Sequence, residues 1–144
     1  MVRRGVRTAD EGRAVSLLNQ DRAANGGLRA LAINDAAITK AQGWAQHLAT
    51  RSNGVCSSAT LSHSNLAQGA PAGWRYLGEN VACRTVTGSV ANAVAPLQAQ
   101  LMASPGHRAN ILRPQFTHLG IGIAAVSIGT DRWVVFETQY FVQL

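Results

Sequence analysis

The alternation of apolar and polar positions divides the chain into stretches that read as regular structure. Thr8-Ala9-Asp10-Glu11 has the form of a capping box, with Thr8 as N-cap and Glu11 at the third helical position. Ala14, Leu17 and Leu18 then recur at helical spacing, with Asp21 and Arg22 on the other side, until Asn25-Gly26-Gly27 stops the helix. Leu28 to Ile33 is a short connector. A second helix, capped by Asn34 or Asp35, carries Ala37, Ala41, Trp44, Ala45 and Leu48 along one side and ends at Asn53-Gly54. His47 lies beside that stripe and reads as a partly buried helix histidine.

Residues 55–72 show no period. They are rich in Ser, Asn, Ala and Gly, and so long an irregular segment in a small protein is either functional or disordered. Trp74 to Ala82 reads as a strand, with Gly78-Glu79-Asn80 inside it. Thr87-Gly88-Ser89 can cap a third helix through Val90, Ala93, Val94, Leu97 and Leu101, which Pro96 should kink or split. Ser104, held out of the α region by Pro105, ends it. Gly106 permits a turn, and His107 is then expected at the mouth of that turn, ahead of a short helix that Arg113-Pro114 closes. The clearest pattern comes last: Leu119–Ser127 and Trp133–Val142 form an antiparallel hairpin across residues 128–132. Gly120 and Gly122 alternate with Ile121 and Ile123, so something packs closely on the glycine face.

Composition changes this picture little. The length of 144 residues suits one domain, with residues 1–7 as a flexible tail of signal-like basic character but no apolar core behind it. No apolar run reaches the roughly 20 residues of a membrane span. A net charge of +6 raises nucleic acid as a partner, but the arginines are scattered and no aromatics interleave with them, so nucleic-acid binding is set aside. Attraction to an acidic envelope polymer is the secondary reading of that charge. Cys56 and Cys83 lie in loop-like sequence. In a reducing compartment they would remain thiols; outside the cell they would pair, closing a loop worth roughly 3–4 kcal/mol on the chain-entropy model.

Three residues from separate segments draw attention for their chemistry. His63 lies in the irregular segment between two serines, His107 in the Pro-Gly stretch, and Glu79 in an apolar strand where a carboxylate needs a cation or donors. Two imidazoles and a carboxylate suit a divalent metal such as zinc with an open position, or an acid-base pair. No His-Glu-x-x-His helix and no Gly-x-Ser-x-Gly elbow is present.

In order, Leu18-Asn19-Gln20-Asp21-Arg22, His63, Gly78-Glu79-Asn80-Val81-Ala82, Ser104 through Leu112, Gly120-Ile121-Gly122 and Thr138-Gln139-Tyr140-Phe141 resemble the CAP superfamily. That group comprises the cysteine-rich secretory proteins, antigen five and the plant pathogenesis-related proteins of group one, and this chain is most similar to its bacterial branch. The resemblance implies an α/β (α+β) fold, a three-layer α-β-α sandwich around a small, mostly antiparallel sheet. It also implies secretion or attachment to the cell envelope, hence a Cys56–Cys83 disulfide, and a cleft lined by two histidines and two acids. His63, His107 and Glu79 match three of the four. The fourth acid is missing: Ser104 stands at about its place, and Glu137, on a late strand, is not promoted to it.

The resemblance implies a ligand cleft for a small molecule, a lipid or sterol-like molecule, or a cell-wall or peptide fragment, served by a monomer that spans no membrane. A weakly bound divalent ion on His63, His107 and Glu79 is part of that expectation. The alternatives are a metal-dependent hydrolase or peptidase, and a structural envelope module in which the three residues satisfy one another by hydrogen bonds.

Overall fold

In the computed structural model, which describes residues 7–144, the capping box forms as read. Thr8 Oγ1 accepts the Glu11 amide at 3.2 Å and the Glu11 carboxylate accepts the Thr8 amide at 2.9 Å, starting α1 (Ala9–Ala24). Apart from Arg7, the tail expected over residues 1–7 lies outside the described residues. Ala14 and Leu18 are buried as their spacing requires, but Arg22 is not on a solvent face: it is 0% exposed. Position 22 follows Leu18 by one turn and shares its side of the helix. Its guanidinium donates to the carbonyls of Arg29 at 3.0 Å, Ile111 at 2.8 Å and Arg113 at 3.0 Å, which makes burial tolerable.

Beyond the short β1 (Ala32–Ile33), Asn34 Oδ1 accepts the Ala37 amide at 3.0 Å and starts α2 (Asp35–Arg51). His47 on α2 is exposed rather than partly buried, and its ring stacks on Trp44 at 4.6 Å. The strand expected from Trp74 to Ala82 begins later and runs further, as β2 (Tyr76–Thr87); Cys83 is therefore a buried strand residue, not a loop one. A 3-10 turn (Val90–Ala93) precedes α3 (Val94–Met102). Two helical pieces form here as expected, but the break precedes Pro96, which sits in the first turn of α3 where no amide donor is required.

Ser104 is extended at φ −103° and ψ 119°, and Pro105 opens α4 (Pro105–Ile111). Gly106 makes no turn: it lies inside α4, with nothing within 4 Å of the position a Cβ would take. His107 is accordingly a first-turn helix residue. The hairpin is β3 (His118–Gly129) and β4 (Arg132–Gln143), joined through Asp131 at φ 52°.

The sheet order is β1-β3-β4-β2, antiparallel except for the β1–β3 pair. Alternation along the strands assigns the layers. Leu119, Ile121, Val135 and Phe141 pack with α1, α3 and α4 on one face, while Val134, Phe136, Tyr140 and Val142 meet α2 on the other. This is the three-layer α-β-α sandwich. Gly120 and Gly122 explain the closeness of α2: a Cβ on either would overlap the backbone of Ala37 or Ala41.

β2 is an edge strand, and its free side is closed by side-chain amides. The outward carbonyls of Glu79, Cys83 and Thr87 accept from Asn110 at 3.4 Å, Gln100 at 3.3 Å and Asn92 at 3.0 Å, so the elements that follow β2 cap the edge at four-residue intervals.

Candidate functional site

The irregular segment before β2 is held by its carbonyls. Trp44 Nε1 donates to Ser62 O at 2.8 Å, Tyr140 Oη to Leu66 O at 2.5 Å, and Lys40 Nζ to Asn65 O at 2.7 Å and Gln68 O at 2.6 Å. Three side chains from α2 and β4 thus order a loop with no periodicity of its own. Cys56 bridges to Cys83 with Cα atoms 5.8 Å apart, tying the start of the same segment to β2.

That anchoring delivers His63 to Glu79. Nδ1 of His63 lies 2.9 Å from Glu79 Oε1, which also accepts the Ser64 amide at 2.9 Å, while the Ser64 hydroxyl donates to Oε2. The Glu79 side chain is 1% exposed and the His63 side chain 60% exposed, so a buried carboxylate orients an open imidazole by the nitrogen nearer the backbone. Burial of Glu79 is met by donors, as an ion in an apolar strand demands.

The residues either side of Glu79 carry α4. Gly78 has Phe116 where a side chain would go, 2.9 Å from the Cβ position. Asn80, 0% exposed, donates to the His107 carbonyl at 3.0 Å and to Gln139 Oε1 at 3.1 Å; Asn110 in turn donates to Asn80 Oδ1 at 2.9 Å. Gly-Glu-Asn on β2 and His107 with Asn110 on α4 therefore form one interlocked unit. The imidazole of His107 has its pKa lowered, first by burial and then by the charge of His63.

A cluster of this kind, on this fold, identifies the chain once its sequence is compared. Residues 15–143 match the model of the cysteine-rich secretory protein family, CAP. The chain belongs to the CAP family. Among curated proteins none matches it. Among solved structures, it is similar to an extracellular protein containing an SCP domain from Bacillus anthracis str. Ames, with 28% identity, a TM-score of 0.64 and coverage of 94% of this chain and 40% of that one. An outer surface protein of Borrelia burgdorferi shares the fold at 15% identity and TM-score 0.63, covering 99% of this chain and 98% of that one. A cysteine-rich secretory protein of Staphylococcus aureus does so at 18% and 0.54, covering 94% and 38%. This CAP chain thus spans about two fifths of the Bacillus and Staphylococcus proteins. These bacterial neighbours include extracellular and outer-surface proteins, and no helix among the described residues is long and apolar enough to cross a membrane.

His63 and Glu79 are in direct contact, and His107 is tied by its carbonyl to Asn80, the residue after Glu79. As a resident zinc centre the donors fit poorly. Both oxygens of Glu79 are engaged by His63 and Ser64, and among the described residues no group of three or more His, Cys, Asp or Glu is disposed to hold a metal. Glu137 faces the opposite side of the sheet from Glu79, 1% exposed beside Gln139 at 2.7 Å. The loop-holding roles of Lys40, Trp44 and Tyr140 are not legible in the sequence because their partners are loop carbonyls, which no side-chain pattern reveals, and Ser64 meets Glu79 only once that loop is folded. Lys40 alone left a trace, as the only lysine in the chain.

Proposed function

We propose that this is a secreted or envelope-associated CAP domain that works by binding, as a monomer. Its ligand is a lipid, a sterol-like molecule or a cell-wall or peptide fragment seated against His63 and His107. The state of Glu79 carries this reading: with both oxygens engaged, it positions an imidazole instead of serving as a free base. Hydrolysis needs an activated nucleophile, or a metal-bound water beside a separate base. Ser64 gives its hydroxyl to Glu79 rather than to a histidine, and Glu137 is behind the sheet. What remains is a pair of rings suited to recognition. His63, bonded through Nδ1, keeps Nε2 for a ligand, and the lowered pKa of His107 favours its neutral form, with one donor and one acceptor. The disulfide suits an oxidising compartment, in keeping with the extracellular Bacillus relative. A divalent ion would have only the two imidazoles to hold it, so Zn²⁺ added alone should bind weakly and be lost in His63→Ala or His107→Ala.

The mutual satisfaction of His63 and Glu79 also supports a structural module without ligand, and NMR separates the two. Envelope lipids or wall fragments should shift the imidazole signals of His63 and His107 in the wild type. Signals that stay put across such a panel would favour the structural module. Esterase or peptidase turnover that disappears in Glu79→Gln would make the chain a hydrolase.

A further inference from the structure

We propose that the end of the sheet where β2 begins docks on an anionic lipid bilayer. Among the described residues, five large apolar side chains are exposed: Ile33 (42%), Val55 (51%), Trp74 (43%), Tyr76 (46%) and Leu144 (38%). The strand register brings all but Val55 to one end. Ile33 pairs with Leu119 at the start of β3, Tyr76 pairs with Gln143 at the finish of β4, Leu144 follows Gln143, and Trp74 lies two residues before Tyr76. Single exposed apolar residues need no explanation, but a group at one end, rich in aromatics, marks an interaction surface.

The charges at this end choose the partner. Arg75 is exposed between the two aromatics, its amide fixed to the Gln143 carbonyl at 2.8 Å. Arg113 places its guanidinium 3.9 Å from the centroid of the Tyr76 ring. Arg29, exposed on the connector into β1, adds a third cation, and the first turn of α2 carries a carboxylate, Asp35. Trp and Tyr rings carry an apolar body and a polar tip and settle at the headgroup level, where neighbouring arginines meet lipid phosphates. A cavity of about 410 Å³ lies between the first turns of α2 and Gln68-Gly69. Tyr76 is three residues along β2 from Glu79, so docking would hold the His63 cleft beside the membrane. The inference stands on surface chemistry and does not depend on what that cleft binds.

The test is co-sedimentation of the whole chain with vesicles of phosphatidylglycerol and phosphatidylcholine, against vesicles of phosphatidylcholine alone. Binding should require the anionic lipid and weaken as salt is raised. Each charge removed, as in Arg75→Gln, should lower partitioning about fivefold. The double variant Trp74→Ser, Tyr76→Ser should lower it by more than tenfold, with the circular dichroism melt reporting whether the fold is kept. Arg75→Glu, at an exposed position, provides a second variant should the aromatic pair prove necessary for folding. Wild type left in the supernatant with anionic vesicles overturns the proposal. So does equal partitioning of wild type with the double variant and Arg75→Glu, or retention on a soluble acidic polymer without vesicle binding.

Discussion

At the scale of single residues, the buried polar groups are unequally partnered. Asn80 and Glu79 have partners. Glu137 is different: Oε2 accepts from Gln139 at 2.7 Å, but Oε1 has no partner. Burial, with a smaller contribution from the charge of Glu11, raises its pKa from 4.5 to about 7, against the opposing bond from Gln139. A carboxyl with a raised folded-state pKa binds its proton more tightly when folded. Its penalty is absent below the unfolded value, grows as pH rises between 4.5 and about 7, and is complete above that. Glu137→Gln should therefore stabilise the protein by about 3 kcal/mol at pH 8 and by little at pH 4. Denaturant unfolding of both proteins across that range is the check, and an equal effect at both pH values would show that Glu137 is not the titrating group. None of this was visible in the sequence, where Glu137 was only a late glutamate on a strand.

At the scale of elements, the glycine face of β3 controls how close α2 can lie. Gly120→Ala would drive a methyl group into the backbone of Ala37, which cannot move without shifting α2 as a whole. Overpacking of this kind costs about 3 kcal/mol or more, and thermal unfolding should show a large loss. A melt within a degree of wild type would mean that α2 has room to shift. By contrast, Gly106→Ala should be tolerated, because the position is helical and open. The two glycines look alike in sequence. The alternation of Gly120 and Gly122 with isoleucines did betray a close approach, whereas Gly106 beside a proline imitated a turn. Strand and helix limits behaved likewise: caps at Thr8 and Asn34 lay where their side chains predict, but β2 continued to Thr87 because β4 offers a partner for its whole length.

On the scale of the whole molecule, two covalent and polar systems hold the layers about the cleft. The disulfide ties the His63 segment to β2, and Arg22 ties α1 to the end of α4. Closing the loop between Cys56 and Cys83 should contribute roughly 3–4 kcal/mol on the chain-entropy model. Reduction ought to lower the denaturation midpoint by a corresponding amount and broaden the His63 NMR signal before the core melts. An unchanged His63 signal in the reduced protein would assign the ordering of the loop to Lys40, Trp44 and Tyr140 instead.

The sequence by itself determined the starts of the first two helices, the hairpin and the glycine approach, and it pointed to His63, Glu79 and His107 as candidates. Those signals act within a few residues of one another: a cap, a period, a turn, or a motif whose members are neighbours in the chain. Tertiary structure alone decided which face Arg22 occupies, that the long loop is ordered, that Glu79 is engaged on both oxygens, and that Asn80 locks α4 over the β2 edge. Each of these depends on a buried polar group finding a partner far away in sequence. Such a group must be satisfied once water is excluded, but its own neighbours do not say by what.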